Sequence, residues 1–515
     1  MTSLVDVLLA EQADLTAVER FASREDAGLL PKHARYYRDL VPLERPRPGE
    51  QYGFEVDLDA CTGCKACVTA CHSLNGLDAD ESWRSVGLLH GGSADAPLQQ
   101  TVTTACHHCV DPGCLKGCPV DAYEKDPVTG IVRHLDDQCI GCAYCTLTCP
   151  YEVPRFNHAR GIVRKCDLCR DRLEVGEAPA FVQACPTSAI RIAIVDTAAL
   201  MAEAATGARL VPGAPPSSLT VPATVYRTRR PELEDLRSAD HFALRQGHAH
   251  TPLAVMLVLT QLAVGVVGAD VAARLAGSEG HTARAALAAA MGLLALAASV
   301  FHLGRPRYAF RAVIGFRHSW LSREIVAFGL FAALAPAYAV TGSTAIGAAA
   351  AGVGVLGVGC SVMIYAVTHR TWWRVRASGP KFVLSTLVSG AASVLLTATI
   401  TGVRPGEVRV FVLTVAGGTL VKLALEASVF AHLRATDTND LNRTARLLVG
   451  QLRSLTATRF ALGAIGGLAA PALVVAGAAP VVFAAIALVA LVAGELLERS
   501  LFFRAVAAPR MPGSI

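Results

Sequence analysis

Of the sixteen cysteines in this chain, all but Cys360 fall between Cys61 and Cys185, in short spacings that gather thiolates on tight loops. Cys61, Cys64, Cys67 and Cys71 read C-x2-C-x2-C-x3-C, and Cys139, Cys142, Cys145 and Cys149 repeat the pattern. Cys106, Cys109, Cys114 and Cys118 form a second kind of group, and Cys166, Cys169 and Cys185 a sparser one. Four thiolates are what a [4Fe–4S] cube takes, and in paired runs of this type the last Cys of one group ligates the cube held by another. Pro119, Pro150 and Pro186 directly follow a final Cys and turn the chain away from the site. C-x2-C pairs alone would admit zinc, but the repeated four-cysteine runs argue against it. A disulfide scaffold is usually a shorter, secreted chain without such bunching. The chemistry these residues point to is electron transfer through iron–sulfur clusters.

Composition shows which elements must hold them. Residues 1–50 read as a helical, mixed-charge N-terminal extension, with Thr16 and Glu19 in capping-box spacing. Residues 51–204 carry the four cysteine groups, which imply an α+β double ferredoxin-like domain binding iron–sulfur clusters. Residues 205–245 are Pro-rich and polar and read as a semi-rigid linker. Residues 246–515 are dominated by Ala, Val, Leu and Gly and read as a membrane anchor, an all-α transmembrane bundle of about eight helices. Apolar runs long enough to cross a bilayer recur near 252–274, 284–303, 323–341, 344–367, 382–402, 408–431, 459–477 and 480–503.

The net charge of +5 sits on short loops between these runs, which marks topology and excludes nucleic acid as a partner. Basic residues from Arg305 to Arg510 crowd the even-numbered loops and the C-terminus, against Arg274, Arg284, Arg404 and Arg409 on the other side. The positive-inside bias therefore places the iron–sulfur domain at the cytoplasmic face of a multi-pass inner (cytoplasmic) membrane protein. The N-terminal MTSLVDVLLAEQADL has no basic n-region and no twin arginine, consistent with that side. No GxGxxG lies in a strand–helix context and no P-loop occurs, so chemistry on a terminal substrate is expected to belong to another chain.

Ionisable groups inside spans are functional candidates because burying them in lipid is costly. Glu324 is one, with pairing to Arg323 or Arg311 as the structural alternative. Lys422, Glu426 and Glu495 read as interhelical salt bridges. His302, His318, His369 and His432 sit at the cytoplasmic edge and His281 in an outer loop, so no haem is expected.

The stretch CHHCVDPGCLKGCPVDAYEKDPVTGIVRHLDDQCIGCAYCTLTCPYEVPRFN, followed by KCDLCRDRLEVGEAPAFVQACPTSAI, resembles the four-cluster electron-transfer subunit of the dimethyl sulfoxide reductase family over about residues 50–225. The resemblance implies three [4Fe–4S] clusters, on Cys61, Cys64, Cys67 and Cys185, on Cys106, Cys109, Cys114 and Cys149, and on Cys118, Cys139, Cys142 and Cys145. A fourth would take Cys71, Cys166 and Cys169, with Phe181 in place of the sixteenth ligand. Phe cannot ligate iron, so this centre is expected to be a [3Fe–4S] cluster or an atypically liganded cube, unless it has been lost altogether.

HLGRPRYAFRAVIGFRHSWLSREIVAFG, residues 302–329, resembles the eight-helix anchor subunit of the same family. The chain thus resembles a natural fusion of two subunits, with His302 and Glu324 at the menaquinol site. His302 as a merely interfacial, hydrogen-bonded His is the alternative. The resemblance implies a conduit that oxidises menaquinol from the quinone pool at the cytoplasmic face of the lipid bilayer. It would pass electrons to a molybdopterin (molybdenum or tungsten) catalytic subunit. The reverse flow, from a formate- or hydrogen-type dehydrogenase into quinone, uses the same parts.

Overall fold

Strand β1, Glu50–Asp57, is buried along most of its length because it lies between two partners. It pairs antiparallel with β8, Ile190–Asp196, and parallel with β9, Val225–Arg227. In this computed structural model, residues 3–7, 17–28, 37–42, 44–170, 172, 178–230, 235–277, 282–402, 405–435 and 438–513 are described. Thr16, His281 and Arg404 lie outside the described residues. The chain divides into two units, Met1–Ala243 with Pro509–Ile515, and Leu244–Ala508.

In the first unit, β2, Ser85–Gly92, and β3, Pro97–Thr104, form a hairpin that β10, Arg237–Ser238, extends. Two small hairpins follow, β4–β5 (Tyr123–Lys125 with Val132–His134) and β6–β7 (Arg155–Asn157 with Ile162–Arg164). After α1, Ala17–Asp26, the helices α2, Ala66–Leu74, α3, Gly113–Gly117, α4, Tyr144–Thr148, and α5, Ala180–Ala184, are built around the cysteine groups. Helix α6, Thr197–Ala205, follows β8 and is capped by the Asp196 carboxylate, which accepts from Ala199 N. Tyr52, Phe54, Val56, Leu89, Val102, Phe181, Ile190 and Ile192 form the core between sheets and helices.

The proline-rich stretch read as a linker is integral to this unit. Beyond β9, Val110 N donates to Val221 O and Ala223 N to His107 O, and Ala214 and Ala223 are fully buried. Its prolines set turns rather than spacing, and its backbone groups find partners on the cysteine loops. The tail is a second correction to the composition reading, which gave it to the anchor. Arg510 pairs with Asp240 at 2.6 Å, Gly513 N donates to Asp240 Oδ1 at 3.3 Å, and Met511 joins the core.

The second unit has eight helices long and apolar enough to cross a membrane. They are α7 Thr251–Leu275, α8 Thr282–Val300, α9 Trp320–Thr341, α10 Thr344–Ala366, α11 Val375–Thr401, α12 Gly406–Arg434, α14 Arg453–Val475 and α15 Pro480–Arg504. Between the sixth and seventh lies α13, Asp440–Val449, capped by the Asn439 side chain. Small residues let α7 and α11 approach closely: a Cβ on Gly390 of α11 would lie 2.3 Å from Gly265 C of α7. Asp270 of α7 ties four helices together, accepting from Arg284 of α8 at 3.2 Å and from the Tyr338 hydroxyl of α9 at 2.6 Å, while Arg284 donates to Thr397 of α11 at 2.6 Å.

Candidate functional site

The two C-x2-C-x2-C-x3-C loops fold alike. Gly63 and Lys65 flank Cys64 at φ +72° and +62°, and Gly141 and Ala143 flank Cys142 at +71° and +55°. Two left-handed residues around one Cys curl the loop back on itself, so that thiols on either side face inward. Lys65 and Ala143 adopt this strained conformation without being glycine, which is tolerated where surrounding structure enforces it. Each loop then enters a helix that carries further sulfur: Cys67 and Cys71 lie one turn apart on α2, and Cys145 lies on α4 with Cys149 as its C-cap. Cys114 lies on α3 with Cys118 as its C-cap, and Cys185 is the C-cap of α5.

Several of the cysteines that the resemblance groups together lie near one another. Cys106, Cys109, Cys114 and Cys149 line one pocket with Val132, Pro150 and Lys165. Cys118 and Cys139 stand close enough to Cys142 and Cys145 that their charges oppose one another. Thr101 and Thr103, two apart on one face of β3, reach Cys61 Sγ and Cys67 Sγ, each at 3.5 Å. Helix α2 packs on α5, and Cys185 packs against the core that holds Cys67. Asn75 Nδ2 points to both Cys71 Sγ, at 3.8 Å, and Cys169 Sγ, at 3.6 Å, and Cys166 lies beside them. Phe181, at the sixteenth position, is 1% exposed.

These sets fit iron–sulfur clusters. All of the thiols are free. Backbone N–H groups already aim at sulfur, Ala122 N at Cys118, Gly141 N at Cys139 and Ala189 N at Cys185, at 3.2–3.4 Å. Burial pushes the Cys71 thiol up to about 12 and Cys118 and Cys149 to about 11, so thiolates there need a bound cation to persist. Lys165, 3% exposed, sets a positive charge beside Cys106 and Cys114. Sequence reasoning did not single out Lys165, Asn75, Thr101 or Thr103; only adjacency to Cys166 hinted at the first.

In the second unit, His302 Nδ1 bonds the Ser299 carbonyl, which leaves Nε2 as the acceptor nitrogen. Burial holds its ring below the ordinary 6.5, with the Ser299 bond drawing it partly back. His250, the N-cap of α7, feels the charge of His302 and lies 4.7 Å from the His248 ring and 5.3 Å from Phe503. The sequence expectation passed over this His pair, which lies just before the first span. Glu324 is 3% exposed and accepts from the Ser361 hydroxyl of α10. Arg323 turns instead to the Phe316 and Arg317 carbonyls, and Arg311 stacks on Tyr308. Among the described residues no hydrogen bond or ion pair joins His302 to Glu324.

A multi-cysteine unit on the same chain as eight apolar helices defines a membrane-bound iron–sulfur electron-transfer protein. Residues 244–504 match the family described as DMSO reductase anchor subunit (DmsC), and residues 99–195 match the 4Fe-4S dicluster domain. The B subunit of the anaerobic dimethyl sulfoxide reductase of Haemophilus influenzae is 36% identical over 190 residues, 35% of this chain and 91% of that protein. Hydrogenase-2 operon protein HybA of Escherichia coli O157:H7 is 35% identical over 212 residues, 36% of this chain and 63% of that protein. The formate dehydrogenase-O iron-sulfur subunit of Escherichia coli K12 is 36% identical over 169 residues, 29% of this chain and 56% of that protein. The chain belongs to the DMSO reductase family, and it joins the iron–sulfur and anchor subunits in one polypeptide.

Proposed function

We propose that this chain oxidises menaquinol at the cytoplasmic face of the inner membrane and delivers the electrons to a molybdopterin-containing reductase subunit. The observation that carries this reading is Glu324, a carboxylate buried in a spanning helix with Ser361 as its hydrogen-bond donor and no ion-pair partner among the described residues. Quinol oxidation yields quinone, two electrons and two protons, so the site needs groups that can take protons. His302 suits the first, since its ring is neutral near pH 7 and its Nδ1 is committed to Ser299. Glu324 suits the second, inside the bundle, with Ser361 fixing its orientation.

The clusters, three [4Fe–4S] and a fourth of [3Fe–4S] or atypical type, would accept the electrons one at a time. Their residues are the cysteine sets described above. The chain's share of the work is to hold them with thiolates, N–H donors to sulfur and the nearby Lys165 charge. The terminal substrate is converted on the partner.

Purification of the tagged chain in mild detergent, with iron, molybdenum and tungsten analysis, tests this. A large co-eluting subunit carrying molybdenum or tungsten is expected. Iron with no such partner would leave a quinone–ferredoxin conduit instead. A second reading runs electrons from a formate- or hydrogen-type dehydrogenase into quinone. It draws support from the likeness to the hydrogenase-2 operon protein and the formate dehydrogenase subunit. The potentials of the clusters against the quinone separate the two directions.

A further inference from the structure

Arg84 is 3% exposed, deep in the cluster unit, and makes no ion pair among the described residues. Its guanidinium carbon lies 4.2 Å from the centre of the Phe181 ring and 5.5 Å from that of Phe54, and the two rings meet edge to face at 5.1 Å. One corner of the group is occupied: Nη1 donates to Thr103 Oγ1 at 3.1 Å, and that oxygen lies 3.5 Å from Cys67 Sγ. The other edge, Nε and Nη2, is buried without a partner. That edge is the side-on fork with which arginine grips a pair of acceptors.

A fully buried guanidinium with an idle fork is expensive unless an anion completes it. The thiolate-rich site beside it is the one of Cys71, Cys166 and Cys169. Trp83, the chain neighbour of Arg84, packs in one cluster with Cys71 and Cys166. Phe181 holds the sequence position of the absent ligand, and the flat face it offers is what the guanidinium stacks on. A Cys there would give the cation no platform.

We propose that Arg84 is a positioning residue for the fourth iron–sulfur centre, placing its Nε–Nη2 fork against the sulfur of a cluster held by Cys71, Cys166 and Cys169. This rests on the reading that those cysteines hold a cluster. A cation with N–H donors stabilises the reduced, more negative form, so Arg84 raises that centre's reduction potential. Through Thr103 it also touches the surroundings of Cys67, one turn from Cys71 on α2. The cluster of Cys61, Cys64, Cys67 and Cys185 therefore feels it second, and the other two clusters least.

The test is electron paramagnetic resonance on the intact chain in its native complex. In wild type grown with 15N-arginine, pulsed spectra of the fourth centre are expected to show a 15N coupling. In redox titrations, Arg84→Gln should shift the reduced-to-oxidised ratio of that centre about tenfold toward oxidised at the wild-type midpoint, about 59 mV for one electron. Arg84→Lys should recover most of the shift. A fourth-centre signal without 15N coupling, or with a midpoint unmoved in Arg84→Gln, overturns the proposal. If both variants lose the centre, the wild-type 15N coupling decides alone. Absence of any fourth-centre signal in wild type overturns the underlying cluster reading, a distinguishable result, and the proposal falls with it.

Discussion

Two buried carboxylates of the bundle, Glu495 and Glu324, are equally hidden from solvent, at 2% and 3% exposed, and sit in opposite company. Glu495 is held by Lys422 and by Arg459 at 3.1 Å, and the Ser385 hydroxyl donates to it at 2.6 Å. Its neighbours are paired as well: Glu426 accepts from Arg459 at 2.8 Å, and Glu498 faces Arg499 at 2.5 Å and Lys381 at 3.7 Å. These contacts lock α11, α12, α14 and α15 together, the salt-bridging role that Lys422, Glu426 and Glu495 suggested in the sequence. Glu324 has a hydroxyl and no cation among the described residues. Burial by itself therefore does not mark a proton-handling group in this bundle. On the function proposed above, burial without compensating charge is what marks Glu324, because an ionisable group in a span is costly to keep without a partner.

The comparison can be broken from either side. The largest effect belongs to the compensated carboxylate. Glu495→Ala would leave Lys422 and Arg459 buried with too little negative charge, and a stability loss of about 3–5 kcal/mol is expected. Thermal unfolding in detergent measures it. A loss under about 1 kcal/mol, the worth of an exposed pair, would show that the network is not the brace described. Glu324→Gln keeps shape and hydrogen bonding but cannot take a proton. Its melting should match wild type and dithionite should still reduce the clusters, while reduction by a menaquinol analogue falls roughly 10²-fold. An unchanged rate would move proton transfer to another residue.

The two regions also differ in how much of them could be read from the sequence. The cysteine groups were legible because their spacing is local: Gly63 and Gly141 sit at the same step of matching loops, and both adopt the required left-handed turn. The spans were legible because length and apolarity are properties of one segment at a time, and eight such helices result. What lay hidden depends on the register between distant segments. The pairing of Lys422 with Glu495 joins helices far apart in sequence, and nothing in either helix names the other. Arg84 looks like an ordinary strand-edge arginine until β2 brings it onto Phe181. The stretch 205–245 misled because proline-rich composition describes stiffness and not packing, and here β9 adds to the sheet of β1. Glu324 could be named from the resemblance, but its lack of a cation needed the positions of Arg323 and Arg311.

Smaller effects sharpen the comparison on the uncompensated side. Ser361→Ala removes the donor that orients Glu324, worth about 1 kcal/mol, so quinol-driven reduction should drop only a few-fold. A drop as large as that of Glu324→Gln would make the hydroxyl itself a proton carrier. The smallest effect is expected from pH. Burial lowers His302 below 6.5 and takes His250 down to about 4, both rings lying just outside the spans. Neutral rings accept protons, so quinol oxidation should stay nearly flat from pH 8 to 6.5 and decline only below that, with His302→Gln flattening the acid limb. Stability has the same sign. Below pH 6.5 the unfolded chain takes up protons that the folded rings refuse, so folding weakens progressively toward about pH 4, where His250 finally titrates. A rate that instead rises on acidification, while melting temperature falls, would mean that protonated His302 is the working form, and Glu324 would then be left as the base.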